Sequence, residues 1–216
     1  MFRYRQYAGC VALWLCAPVA WAYISYYNPG EPIQVPVEFG GSGMGLLLDL
    51  DFNGVDEIRL TSNGSDFRGT PLENNQIIGL PATPPNMGAF IIPLEYGASI
   101  DATPDSPGEW VDGTLPSTFA SCQTVGDSVL CLGLWLTEET SDAYFGMQFD
   151  IEGETHYGWV HLVNTFGITG YITEWAYETT PDTGLLAGVV PEPATSLLFV
   201  AGLLILHFKN KKRRFR

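Results

Sequence analysis

The chain has 216 residues, of which 46% are hydrophobic and only 16% charged, with a formal net charge of −14. The charge is unevenly spread: of the ten Lys and Arg only Arg59 and Arg68 lie between residues 23 and 190, against 23 of the 24 Asp and Glu, so this stretch carries −21. Nucleic-acid binding is excluded for it, because phosphate contacts need clustered cations; such a surface suits calcium, cationic partners or solubility in an extracellular matrix.

At the start of the chain, Arg3 and Arg5 precede an apolar run from Ala8 to Val19 that ends in Ala20-Trp21-Ala22. A charged start, a short apolar segment and a small-x-small end make residues 1–22 a signal peptide, cleaved after Ala22. The run is too short to cross a bilayer, which takes about 20 helical residues. Neither Cys10 nor Cys16 follows the small-residue box that lipid attachment requires.

Residues 23–187 then form one acidic outer domain, long enough for a hydrophobic core. Polar and apolar residues alternate over Ile33–Phe39, Gln148–Glu152 and Gly158–Val163, and turn residues recur at Asn53-Gly54, Asn63-Gly64, Pro84-Pro85-Asn86 and Glu152-Gly153-Glu154. Short alternating runs between frequent turns, without sustained helical periodicity, predict an all-β fold, an antiparallel β-sandwich of jelly-roll type; the alternative is a barrel or an irregular β fold. The run from Gly40 to Gly45 lacks the Lys-Ser/Thr of a phosphate loop and reads as a flexible turn.

The sharpest local signal is Asp49-Leu50-Asp51-Phe52-Asn53-Gly54-Val55-Asp56-Glu57, between Leu48 and Ile58. Side-chain oxygens at positions one, three and five, glycine at six and acids at eight and nine resemble the calcium loops of EF-hand, dockerin and integrin-type repeats. A loop coiled around an ion turns alternate side chains inward, and the glycine permits the sharp turn. Asp49, Asp51 and Asn53 are the candidate side-chain ligands, Val55 supplies a carbonyl, and Glu57 or Asp56 closes the shell. The pattern departs from the EF-hand at position twelve, which is Leu60. The competing reading is a β-hairpin with an acidic Asn-Gly turn.

Cys122 and Cys131 stand nine positions apart around the Gly126-Asp127 turn, which predicts a disulfide across a hairpin in an oxidising compartment; zinc would lack further ligands nearby. His156 and His161 fall on opposite faces of one strand and read as structural. Trp110, Trp135, Trp159 and Trp175 are the candidates for a sugar platform, against the commoner role of strand aromatics as core. The chain has no nucleophile elbow, zinc-protease helix motif or phosphate loop, and no catalytic residue is assigned.

The chain closes with Val190-Pro191-Glu192-Pro193, an apolar run from Ala194 to Phe208, and a tail holding Lys209, Lys211, Lys212, Arg213, Arg214 and Arg216. Basic residues beside an apolar span stay in the cytoplasm, so the run reads as a membrane anchor within a terminal segment 188–216. The Pro-Glu-Pro motif, single apolar helix and basic terminus, in that order, resemble the PEP-CTERM sorting domain of Gram-negative bacteria. Tyr157-Gly158-Trp159-Val160 and Trp175-Ala176-Tyr177-Glu178 resemble the last strands of the exported domain in many such proteins. The resemblance implies recognition by an exosortase and a link to exopolysaccharide. The resulting expectation is a non-enzymatic surface or matrix protein, held in the inner membrane with its domain in the periplasm until it is processed to the cell surface. A glycan-binding module is the alternative, and a polysaccharide-active enzyme comes third.

Overall fold

The structure is a computed structural model and describes residues 23–38, 45–81, 88–105, 107–138, 140–165 and 169–190. The signal segment 1–22, the glycine turn at 40–44, the Pro84-Pro85-Asn86 turn, and the sorting motif and anchor from Pro191 onward lie outside the described residues.

Among the described residues there are strands and no helix: β1 (Ile24–Tyr27), β2 (Ile33–Gln34), β3 (Leu46–Leu48), β4 (Ile58–Ser62), β5 (Asp66–Pro71), β6 (Gln76–Pro81), β7 (Ala89–Ile91), β8 (Ser99–Ile100), β9 (Glu109–Asp112), β10 (Ser117–Val125), β11 (Ser128–Gly133), β12 (Asp142–Ile151), β13 (Glu154–Thr165), β14 (Thr169–Glu178) and β15 (Leu185–Leu186). The all-β expectation holds. Thirteen strands join in one curled mixed sheet ordered β1-β14-β13-β12-β6-β7-β10-β5-β4-β3, with β2 beside β14, β9 beside β6 and β11 beside β10. β8 and β15 form a small separate pair. β7 and β10 are the parallel strand pair.

Local chemistry accounts for the main turns. β12 and β13 meet at Glu152-Gly153, both at positive φ (56° and 88°), as the tight hairpin turn that matches strand twist requires. At Asn63-Gly64 the Asn63 side chain accepts hydrogen bonds from the amides of Ser65 and Asp66. The alternating run from Ile33 does not continue as a strand: β2 ends at Gln34, because Pro36 has no N–H to donate to a ladder.

That interrupted segment joins the two ends of the curl. Ile33 and Gln34 pair with β14, the Val35 amide donates to the Gly170 carbonyl, and Val37 then bridges to Ser62 of β4. The ends thus share one core, in which Ile58, Leu60 and Phe67 from β4 and β5 pack with Phe119, Phe145, Val160, Leu162, Ile172 and Trp175. On the other face of β12–β14, Tyr157, Trp159 and Ala176 pack with Ile78, Ile100, Leu185 and Ala187, so the small β8–β15 pair covers that wing. The stretch from His156 to Val160 is therefore buried residue after residue.

One element projects. β10 pairs with β5 as far as Ser121, the Cys122 amide still donates to the Ser65 carbonyl, and Gln123–Val125 pair with β11 alone. Val129, Leu130 and Leu132 of this arm are 68%, 57% and 48% exposed.

Candidate functional site

The acidic loop spans Asp49 to Glu57 between β3 and β4, which pair at Leu48 and Ile58. It is a nine-residue loop in place of the two-residue Asn-Gly hairpin turn. Its backbone winds around its own carboxylates. Asp49 accepts hydrogen bonds from the amides of Asn53 and Gly54 (3.1 and 2.8 Å), and Asp51 accepts from the Asn53 amide and side chain (3.0 and 2.9 Å). Phe52 and Gly54 take up the reversal at φ 62° and 90°, a conformation that suits glycine and strains phenylalanine.

Two anchors fix the loop to the core, at Leu50 and at the Glu57 carbonyl, and a bond inside the loop joins them. Leu50 is buried at 2% exposure, and the Trp175 indole donates to its carbonyl at 3.1 Å. The Leu50 amide donates to Glu57 Oε2 at 2.5 Å. The Glu57 carbonyl in turn accepts from the Leu72 amide and the Asn75 side chain.

The outcome is a cluster in which Asp49, Asp51 and Glu57 each offer a carboxylate oxygen, all within 4.8 Å of one another. Two oxygens touching one calcium ion at about 2.4 Å can lie at most about 4.8 Å apart, so the spacing allows a shared hard cation. Of the two candidate closing acids, Glu57 joins the cluster and Asp56 does not. The Asn53 side-chain oxygen accepts from the Val55 amide at 2.7 Å.

Electrostatics bear on the same point. Glu57 is only 2% exposed; burial, reinforced by the charges of Asp51 and Asp49, pushes its carboxyl from the ordinary 4.5 up to about 7. Burial and the nearby Asp49 also raise Asp51. Among the described residues no Lys, Arg or His forms an ion pair with any of the three. Such a site can hold a divalent cation through oxygen ligands, and it favours protonation of Glu57 when no cation is bound.

The other candidate residues are dispersed. Trp135, Trp159 and Trp175 are core residues at 0%, 0% and 4% exposure, so they offer no bare sugar platform. Trp110 is half-buried, stacks on Tyr157 and donates to the Asp101 carbonyl. His156 is buried with its Nδ1 2.8 Å from the Glu178 carbonyl oxygen. His161 lies on the opposite face, stacked on Tyr144 and bonded to Asp142 and Thr173. Cys122 and Cys131 stand directly opposite each other in the β10–β11 ladder and are bonded, with Gly126-Asp127 as the turn.

Sequence reasoning missed an aromatic stack beside the acidic loop. Tyr27 packs on Trp175 with ring centroids 4.4 Å apart, and Phe52 packs on Tyr27 at 4.9 Å. Tyr27 and Phe52 stand 148 and 123 residues before Trp175 and follow no readable pattern with it, so only the placement of Phe52 inside the acidic loop hinted at exposure. Elsewhere, two grooves share Arg68 in their lining, which pairs with Asp66 at 3.1 Å, and another is lined by Ile78, Ile92 and Leu94. Compared with known proteins, the chain matches no family model, no curated protein and no solved structure.

Proposed function

We propose that the chain is an exported, non-enzymatic surface or matrix protein, sorted through its PEP-CTERM-like end by an exosortase and linked to exopolysaccharide. The observation that carries this reading is the Cys122–Cys131 bridge on an exposed arm. A disulfide without a protecting core persists in an oxidising compartment and is reduced in the cytosol. The −21 charge of residues 23–190 supports the same setting, since it keeps such a domain soluble and apart from its copies. The facing wings of the curled sheet support a jelly-roll-like sandwich arrangement for the domain.

Calcium is the ligand proposed for Asp49, Asp51 and Glu57, as a staple of the outer domain. The supporting observation is the convergence of three carboxylates, one of them buried, with no cationic side chain paired to them among the described residues.

The test follows both termini and the bridge in the native host. Cys122 and Cys131 should resist alkylation until a reductant is added, and deletion of residues 194–216 should move the protein from the membrane to the soluble periplasmic fraction. Free thiols in the native protein, or a truncated form that still sediments with membranes after a carbonate wash, would sink the proposal.

A second reading, a glycan-binding module, is favoured by the Tyr27–Phe52 stack, whose rings are 37% and 58% exposed beside carboxylates. Exposed aromatic faces can stack on sugar rings while carboxylates accept hydroxyl hydrogen bonds. Specific binding on a glycan array, lost in Phe52→Ala with the fold retained, would favour this reading; no binding by the native protein would remove it.

A further inference from the structure

Glu178, at the end of β14, is a carboxylate only 2% exposed. Its Oε1 accepts the Tyr23 backbone N–H at 3.1 Å and the Thr180 N–H at 2.8 Å. Among the described residues no Lys, Arg or His forms an ion pair with it. The buried carboxylate is thus held by two backbone amides and faces no cationic side chain among the described residues.

Tyr23 is held from the other side as well. Its carbonyl accepts the Thr179 amide at 2.9 Å and the Thr179 hydroxyl at 2.7 Å. From Ile24 onward β1 is zipped to β14, with Ile24 opposite Glu178. The nitrogen of residue 23 is therefore fixed against a buried acid by the register of the sheet.

Tyr23 is also the residue that follows Ala20-Trp21-Ala22, the end of the signal-peptide pattern. The pattern in the first 22 residues and the position of a carboxylate 155 residues further along are independent observations, and they meet at one atom.

We propose that Glu178 is the receptor for the new N-terminus, so that removal of the signal peptide creates the buried carboxylate's missing cation. The inference rests on the proposed export and on cleavage after Ala22. In that hydrolysis, water adds across the Ala22–Tyr23 peptide bond: the C–N bond breaks, Ala22 leaves with a carboxylate, and the Tyr23 nitrogen takes up protons to become an ammonium. The amide-to-carboxylate hydrogen bond becomes an ammonium–carboxylate ion pair at the same contact. The precursor keeps only the amide contact. Processing then stabilises the folded domain at its first strand, and the uncleaved form is the weaker folder while it is still attached to the export machinery.

The experiment compares two proteins that both end at Arg216, one beginning at Tyr23 and the other retaining Ala22, each also made with Glu178→Gln. Gln keeps an acceptor oxygen for Tyr23 and Thr180 but removes the charge. Urea unfolding should give the Tyr23-start protein a severalfold larger folding constant than the Ala22-start protein, the effect of placing the ammonium charge on the contacting nitrogen itself. The gap should close in the Glu178→Gln pair. Equal stabilities of the two wild-type forms, or a gap that survives Glu178→Gln, would overturn the pairing. N-terminal sequencing of the protein exported by its host tests the underlying reading separately: a first residue other than Tyr23 refutes cleavage after Ala22, whatever the unfolding curves show.

Discussion

Replacing Glu57 by Gln is the most direct probe of the acidic loop. The Glu57 carboxyl is raised from 4.5 to about 7, mainly because a side chain 2% exposed has lost its water. Between those two values the folded protein holds a proton that the unfolded chain has released. Stability therefore falls as pH rises through this window and is level above and below it. Over the whole window the loss amounts to about 3 kcal/mol. Gln cannot titrate, and its amide oxygen still accepts from the Leu50 amide, so the variant should lack this decline. Asp51, raised in the same direction, and the general repulsion of an acidic domain remain in both proteins. They cancel when one curve is subtracted from the other. The assay is urea unfolding of both proteins from pH 4 to 8, in chelator, at constant ionic strength. With chelator at pH 8 the variant should be the more stable by up to about 3 kcal/mol. Calcium should close most of that gap: at a hundredfold excess over its dissociation constant it adds about 2.7 kcal/mol to the wild type and much less to a variant lacking one of three carboxylates. Magnesium should do less, because it demands a tighter octahedral shell. Parallel pH curves in chelator would refute the account of Glu57, and identical curves with calcium, magnesium and chelator would remove the metal.

Further outcomes follow from single contacts. Trp175→Phe keeps the ring but loses the indole donor to the Leu50 carbonyl; it should cost about 1–2 kcal/mol in thermal or urea unfolding and weaken the calcium response. Gly113→Ala would bring a Cβ to 1.9 Å from the Pro71 carbonyl oxygen and should cost at least about 2 kcal/mol. Gly30→Ala, at φ 79° with open space around it, should cost only about 1 kcal/mol. Cys131→Ser should speed amide exchange along the projecting part of β10–β11 and leave β12–β14 unchanged, because beyond the Cys122 amide's bond to Ser65 the arm pairs only within itself.

The parts of this fold that were legible in the sequence are those where local chemistry decides. Glu152-Gly153 is a turn because the backbone there must reverse with positive φ, and the runs around Phe149 and Val160 are strands because they continue from it. The Cys pair was legible for the same reason, with Gly126-Asp127 setting the register between them. Partners distant in sequence were not legible: an alternating pattern says which face a residue takes and not which strand lies beside it. So the pairing of β6 with β12, and the bridge from Val37 to Ser62, had no signal. Ser128–Gly133 reads as a core strand by composition, yet it is exposed, because β10 outruns both β5 and β7. At the acidic loop the sequence indicated oxygen ligands but could not distinguish Glu57 from Asp56. The choice is made by the ladder, which ends at Leu48 and Ile58 and turns Glu57 inward to meet the Leu50 amide.

The acidic loop also sits where the fold has most to gain from an ion. Leu50 is joined to β14 by the Trp175 indole, while Glu57 leads directly into β4, so one short loop touches strands from both ends of the curled sheet. The other tie between those ends runs through Val35 and Val37, where Pro36 prevents a continuous ladder. Three carboxylates without a cation oppose closure at this point through desolvation and mutual repulsion. A cation bound there, as proposed, would turn the same three groups into a clamp. Its effect should therefore reach beyond the loop: calcium should slow amide exchange at Ile172 and Leu60, on the two strands that the clamp joins, more than at Ile100 in the separate β8–β15 pair. Protection confined to residues 49–57 would instead mark the loop as a local ion site with no part in holding the sheet closed.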